Sequence, residues 1–160
     1  HMRRKDREIT DPEQIEHLLA RAQILRVAFC DGKKAPYLVP VNYGYVCREG
    51  SYSLYFHGAK AGRKYELSKA SPGVGFELDA DYSLIAGGSA CRYSALYRSI
   101  VGTGTLSLGE DEEERVLGLS AIMKQATGKA DWDFEATGKN AVAVFRIDVK
   151  EMACKAHQIT

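Results

Sequence analysis

The distribution of apolar and polar residues changes from a helical to a strand-like period early in the chain. Apolar residues recur three and four positions apart, at Ile15, Leu18, Leu19 and Ala22, which is the spacing of one buried helix face. A threonine, an aspartate and a proline precede this stripe and supply a capping signal. The pattern predicts a helix over residues 12–22 that packs against the rest of the fold.

From residue 24 onward, apolar and aromatic runs separated by glycine-bearing turns predict strands. Three of these runs are joined by short turns and predict an antiparallel meander: residues 24–29, 37–45 and 51–57. Pro40 lies inside the second run. Because proline has no N–H, that strand should carry a bulge or an unpaired edge at this position.

The later part of the chain continues this pattern and adds two helices. Further strands are predicted at residues 74–85, 93–108 and 141–149. The 93–108 run is predicted to be a strand pair with a bulge or tight bend at Gly102 and Gly104. Helices are predicted over residues 63–70 and from Asp111 to a stop at Gly128, and residues 129–139 are predicted to be a loop.

Six or seven antiparallel strands with two or three peripheral helices predict a mainly β fold, a small closed or partly closed barrel. Strands and helices do not alternate regularly, which argues against a Rossmann fold. The interior of such a small barrel is filled by side chains. A large ligand is therefore expected at the barrel rim or at a subunit interface.

Composition and charge narrow the function classes. The 160 residues have a net charge of +1 and are predicted to form one domain, and His1 before Met2 is interpreted as a tag remnant. The charge gives no reason to expect nucleic-acid binding, and no apolar segment is long enough to cross a membrane. Four scattered cysteines without companion histidines predict neither a metal site nor disulfides. We expect a cytoplasmic protein with reduced thiols.

A basic loop between the third strand and the second helix is the strongest candidate for chemistry. His57 ends the strand, Gly58 and Gly62 lie in the loop, and Lys60, Arg63 and Lys64 surround the start of the helix. Helix starts favour acidic residues, so these cations are unfavourable there unless an anion is bound. A phosphate site is one interpretation and a solvated basic turn is the other. His57 is either a proton donor near a ligand or a locally hydrogen-bonded structural histidine.

Two strands offer further ligand contacts. Arg98 and Ser99 alternate with aromatic residues, so Arg98 could hold a phosphate through two parallel hydrogen bonds. An ordinary strand with exposed arginines is the alternative. The strand that contains Pro40 could present backbone groups to the edge of a planar heterocycle, with Val41 below the ring.

Three segments together resemble a known family. They read VPVNYGY at residues 39–45, YFHGAKAGRK at 55–64 and YRSIVGTG at 97–104. In this order they resemble the nitroimidazole-resistance proteins, a branch of the pyridoxamine 5′-phosphate oxidase-like, FMN-binding split-barrel superfamily. The beginning of the chain and its last predicted strand fit as well, so the resemblance covers nearly the whole chain.

The resemblance implies a homodimer of split barrels, each with six or seven antiparallel strands, that binds two FMN molecules at the subunit interface. It places His57 close to the flavin and the substrate, and it suggests Trp132 or Phe134 as residues that reach the partner's flavin. The residues that it assigns to FMN are Val39, Pro40, Val41, Asn42, His57, Gly58, Ala59, Lys60, Gly62, Arg63, Lys64, Tyr97, Arg98 and Ser99.

The expected function is a flavin-dependent reductase of small acceptors such as nitroaromatics. The true oxidases end in an arginine-bearing segment that binds substrate phosphate, and residues 154–160 here contain no arginine, which makes vitamin B6 oxidation the less favoured activity. The alternative is a non-catalytic protein that binds flavin, or haem at a similar rim. A haem would require an axial ligand such as His17, His57, His157, a cysteine or a tyrosine.

Overall fold

Eight strands and four α-helices make up the part of the chain that is described in this computed structural model, residues 4–33 and 35–158. His1, interpreted above as a tag remnant, lies outside these residues. The strands are β1 (Glu8–Ile9), β2 (Ile24–Phe29), β3 (Tyr37–Asn42), β4 (Gly44–Arg48), β5 (Ser51–Gly58), β6 (Gly73–Ile85), β7 (Ser94–Leu108) and β8 (Ala143–His157). The helices are α1 (Pro12–Arg21), α2 (Arg63–Ala70), α3 (Glu112–Thr127) and α4 (Ala136–Ala141).

The strands form one antiparallel sheet in the order β3-β2-β6-β7-β8-β5-β4, and the short β1 pairs with the far end of β8. The sheet curves so that β3, at one end of this path, also contacts β5 near the other end. The result is an open, split barrel rather than a closed one. The mainly β prediction is therefore confirmed, with eight strands instead of six or seven.

The core follows from the two-residue period of the strands. Leu25, Val27 and Phe29 of β2 are buried at alternate positions, and β5 and β8 stack Phe56 on Phe145 with ring centroids 4.8 Å apart. Intervening side chains point to the opposite face. A second apolar cluster lies on that face. It is formed by Leu119 and Ile122 of α3 together with Tyr55 of β5 and Val144 of β8.

The predicted meander is wrong at its middle strand. The run over residues 37–45 forms two strands, β3 and β4, that pair with different neighbours at opposite ends of the sheet. The chain breaks at the buried Tyr43, whose hydroxyl donates to the Leu19 carbonyl at 2.5 Å, and at Gly44, which contacts the α3 backbone. Burial raises the pKa of Tyr43, so its hydroxyl remains a donor. Pro40 lies on an edge strand, as expected, but without a bulge.

The predicted strand pair over residues 93–108 is also wrong, because β7 is one continuous strand. Gly102 and Gly104 do not end it: they allow close packing, since a Cβ at either position would lie 2.5–2.6 Å from a β8 carbonyl oxygen. The register shift predicted near these glycines is present, where β8 accommodates an extra residue, Lys150. β8 itself extends to His157, well beyond the predicted end, and part of the predicted 129–139 loop forms α4.

The three predicted helices are confirmed, and local capping explains the bounds of α3. The Asp111 side chain accepts a hydrogen bond from the Glu114 N–H at 2.8 Å, which satisfies a free donor at the start of α3. Gly128 ends α3 with φ of 74°, a conformation that favours glycine. α2 has the predicted bounds, and α1 ends one residue earlier than predicted.

Gln125 of α3 fastens the end of α1 to the barrel. Its Nε2 lies 2.9, 3.1 and 2.7 Å from the carbonyl oxygens of Leu19, Ala20 and Ala22. Replacing Gln125 with Ala should lower the free energy of unfolding by about 1–3 kcal/mol, because part-buried carbonyls lose their donor. Chemical denaturation would measure this change. The control is Gln23→Ala, because Gln23 is an exposed glutamine. An unchanged midpoint for Gln125→Ala would contradict the fastening role.

Candidate functional site

The basic loop leads into α2 through a glycine and leaves its cations without acidic partners. Gly62 has φ of 95° and precedes the helix without a side-chain cap, so the first N–H groups of α2 have no side-chain acceptor there. Lys60 and Arg63 are exposed and Lys64 is half-buried. Among residues 4–33 and 35–158, no acid forms an ion pair with any of these three cations. The loop therefore presents uncompensated positive charge.

Gly58 at the end of β5 makes room for one of these cations. A Cβ at Gly58 would lie 3.1 Å from the Lys64 Nζ and 3.4 Å from the Phe145 ring. The missing side chain allows the lysine to cross the end of the strand. Lys64 is thus held at the mouth of the barrel on the core side of β5.

Arg63 joins the basic loop to β3. Its guanidinium carbon lies 4.4 Å from the centroid of the Tyr37 ring, within the range of a cation–π contact. On β3, Val39 and Val41 are half-buried, whereas Pro40 and Asn42 are exposed. β3, the end of β5 and the start of α2 therefore form one continuous surface along the split in the barrel.

His57 lies on the other face of β5 from Lys64. It is exposed, and it lines a cleft of about 270 Å³ together with Leu119, Phe134 and Val142. Within the described residues its imidazole forms no hydrogen bond or ion pair. The structure therefore brings His57 together with Phe134, one of the two residues suggested for the partner's flavin, and separates it from Lys64, seven residues later.

The segment Tyr97 to Ser99 lies far from the basic loop within one chain. Ser99 is opposite Lys155 on β8, and Gly58 is opposite Ala143 on the same strand. These two β8 positions are twelve residues apart, which corresponds to roughly 40 Å of extended strand at about 3.3 Å per residue. The structure does not bring the two segments together in a single copy.

Arg98 and Trp132 have partners of their own. Arg98 donates to the Gln158 side chain at 3.1 Å and lies 3.8 Å from the Asp81 carboxylate. The Trp132 Nε1 donates to the Lys129 carbonyl at 2.8 Å. Both side chains are thus oriented by contacts within their own chain.

Sequence reasoning missed Tyr37 and Arg7. Arg7 donates to the Tyr97 hydroxyl at 3.1 Å, and Tyr97 also packs edge-on against His157 at a centroid distance of 6.3 Å. The basic run before Arg7 was a signal, but its contact with Tyr97 joins residues 90 positions apart. No local pattern predicts such a contact.

A family model described as pyridoxamine 5′-phosphate oxidase matches residues 11–156, which is nearly the whole chain. The chain belongs to the pyridoxamine 5′-phosphate oxidase family. The matched range includes β2 to β7, the basic loop and almost all of β8. No curated protein matches the chain.

One solved structure that shares this fold carries a nitroimidazole-resistance description. A Bacteroides thetaiotaomicron protein, described as a proposed 5-nitroimidazole antibiotic resistance protein, superposes with a TM-score of 0.78 and 27% identity. The match covers 93% of this chain and 86% of that one. This pyridoxamine 5′-phosphate oxidase family member therefore shares its fold with a protein of the branch that its motifs resemble.

Two more distant neighbours show the same fold. A flavocytochrome from Azotobacter vinelandii has a TM-score of 0.78 at 20% identity, covering 99% of this chain and 73% of that one. An FAD and haem binding protein from Mycobacterium smegmatis has a TM-score of 0.80 at 18% identity, covering 96% and 74%. In the described part of our family member, no helix is long and apolar enough to cross a membrane.

Proposed function

We propose that this protein binds FMN at the interface of a homodimer and reduces small acceptors such as nitroaromatics. The observation that carries the proposal is the uncompensated positive charge of Lys60, Arg63 and Lys64 at the start of α2. A flavin phosphate supplies the anion that this arrangement lacks. Gly62, where even a Cβ would meet no heavy atom within 4 Å, leaves room for close approach of the phosphate, and Gly58 leaves room for the Lys64 side chain.

The surface next to the basic loop suits the flat ring of the same cofactor. β3 is the last strand of the sheet path, and an edge strand has backbone N–H and C=O groups without strand partners. Val39 and Val41 pack partly against the core, and the part of each side chain that stays exposed adds apolar contact area. In this proposal, the phosphate lies at the start of α2 and the isoalloxazine ring lies along β3.

The separation of the Tyr97–Ser99 segment from the basic loop supports a dimer. If both segments contact one flavin, as the family resemblance implies, they come from different copies. Each site then takes its phosphate loop from one protomer and Tyr97, Arg98 and Ser99 from the partner. Size-exclusion chromatography with light scattering tests this, since a monomer that retains FMN would contradict it.

The bound flavin would supply the electron transfer, and the protein would position the acceptor. His57 is the side chain that we assign to the acceptor. It is exposed, has no hydrogen-bond partner within the described residues and lines a cleft with Phe134. An imidazole in this position can donate a hydrogen bond or a proton near neutral pH.

Replacing His57 with Ala should lower the turnover of a nitroaromatic acceptor by about 100-fold, the usual scale for loss of a positioned proton donor. FMN affinity should change little, because His57 and Lys64 lie on opposite faces of β5. Steady-state reduction of the acceptor and FMN titration measure the two quantities. His17→Ala, on the exposed face of α1, is the matched control. Unchanged turnover with retained FMN would remove His57 from the reaction.

Haem binding is a second candidate, and the environment of His57 is the observation that favours it. An exposed, unpaired imidazole beside Leu119, Phe134 and Val142 combines an axial ligand with an apolar wall. The visible absorption spectrum of the purified protein separates the two cofactors. Flavin bands that disappear with the release of FMN on denaturation support the first proposal, and a haem Soret band that is lost in His57→Ala supports the second.

A further inference from the structure

A second cleft lies at the opposite end of β8 from the basic loop. Its volume is about 360 Å³, and it is formed where the beginning of the chain meets the end of β8. The residues that line it are Arg4, Asp6, Arg7, Glu8, Ile9, Gln14, Ala156, His157 and Gln158. Neither the family assignment nor the proposed flavin site gives this cleft a function.

The charges around the cleft leave one arginine without an acidic partner. Asp6 is held by Arg4 through two contacts of 2.7 and 2.9 Å. Glu8 lies opposite Lys155 in the β1–β8 register. Arg7 is half-buried, and no acid within the described residues forms an ion pair with it. A half-buried guanidinium that lines a cleft in this way favours an anionic ligand.

Tyr97 fixes the position of this guanidinium while leaving most of its donors available. One Arg7 nitrogen donates to the Tyr97 hydroxyl at 3.1 Å, and the guanidinium carbon lies 5.9 Å from the Tyr97 ring centroid. Arginine has five N–H groups, so this contact uses one of them. The remaining groups include the fork that matches the two oxygens of a carboxylate.

His157 presents a second polar group to the same cleft. Its Nδ1 lies 2.6 Å from the Ala95 carbonyl oxygen, which can only accept, so Nδ1 carries the hydrogen. The Nε2 atom of this tautomer is an acceptor, and it donates to a carboxylate when the imidazole is protonated. The Tyr97 ring packs edge-on against this imidazole and holds it beside Arg7.

We propose that Arg7 and His157, positioned by Tyr97, form a subsite that binds the carboxylate of a small acceptor. This proposal rests on the proposed function, because it is Tyr97 to Ser99 that would reach the flavin of the partner. An acceptor held by its carboxylate at Arg7 would then extend toward that flavin. The acceptors of this protein are accordingly nitroaromatic or related compounds that carry a carboxylate.

Calorimetric titration with 4-nitrobenzoate and with its uncharged methyl ester tests the subsite without measuring turnover. The purified dimer should bind the acid about tenfold more tightly than the ester, the gain expected for one charge-assisted contact. Arg7→Gln should remove this preference and leave the ester affinity unchanged, so the ester also reports correct folding. Arg48→Gln, which replaces an exposed arginine at the end of β4, should keep the preference.

The outcomes separate the subsite from the flavin proposal. Equal affinity for acid and ester, no binding of the acid, or a preference that persists in Arg7→Gln would overturn the subsite even if FMN is bound. A protein that binds no FMN but prefers the acid through Arg7 would support the anion site and overturn the proposed function alone. Arg7→Lys, which keeps the charge without the fork, should restore part of the preference.

Discussion

Replacing both Arg63 and Lys64 with Gln is expected to raise the dissociation constant of FMN by about 100-fold or more. Each charge-assisted hydrogen bond to a phosphate contributes about 1.5–3 kcal/mol, and each such loss corresponds to roughly a tenfold to hundredfold change in affinity. The α2 dipole contributes only about 0.3–1 kcal/mol. The side chains therefore determine most of the phosphate affinity.

Comparing FMN with riboflavin makes this test specific, because riboflavin lacks the phosphate. Fluorescence titration should show that riboflavin binds the wild type and the double variant with similar affinity. The matched control is Lys69→Gln, which removes a cation from the last turn of α2, where the Lys69 ammonium packs on the Tyr65 ring. If the double variant weakens FMN and riboflavin equally, the basic loop is not the phosphate site.

Gly44→Ala is expected to lower the free energy of unfolding by about 3 kcal/mol or more, or to prevent folding. A Cβ at this position would lie 2.1 Å from the Ala121 carbonyl carbon and 2.4 Å from the Ile122 nitrogen. These are backbone atoms of α3, so no side-chain rotation relieves the overlap. Overpacking usually costs about 1–3 kcal/mol of stability. Because the helix backbone is rigid, we expect the loss for Gly44→Ala to reach the upper end of this range or exceed it.

Gly73→Ala is the matched control for this substitution. Gly73 begins β6, and a Cβ there would meet no heavy atom within 4 Å. Chemical denaturation should give a midpoint close to that of the wild type for Gly73→Ala and a much lower one for Gly44→Ala. Similar midpoints for the two variants would show that α3 can move away from β4, which would contradict the tight packing described above.

The helices could be predicted from the sequence because their signals are local. Asp111 and Gly128 define α3 through contacts within a few residues of themselves. The basic loop could be recognised for the same reason, since its cations and glycines lie within a few consecutive positions. A contiguous pattern was sufficient in both cases.

Strand partners could not be predicted in this way. The 37–45 run has the apolar pattern of one strand, and it divides because Gly44 meets α3 about 77 positions later in the chain. Likewise, the contacts of Arg63 with Tyr37 and of Arg7 with Tyr97 join segments that no periodicity relates. The face on which His57 lies is easier to predict, because the two-residue period of a strand places it on the face opposite Gly58.

The length of β8 has a thermodynamic consequence for the proposed dimer. This one strand runs from the partner of Gly58 to His157, so in the proposed dimer each protomer would carry two half-sites at opposite ends and no complete one. Cofactor binding and subunit association are then linked equilibria. By mass action, FMN should hold the protomers together on dilution, and the apparent affinity for FMN should fall as the protein concentration drops below the dimer dissociation constant.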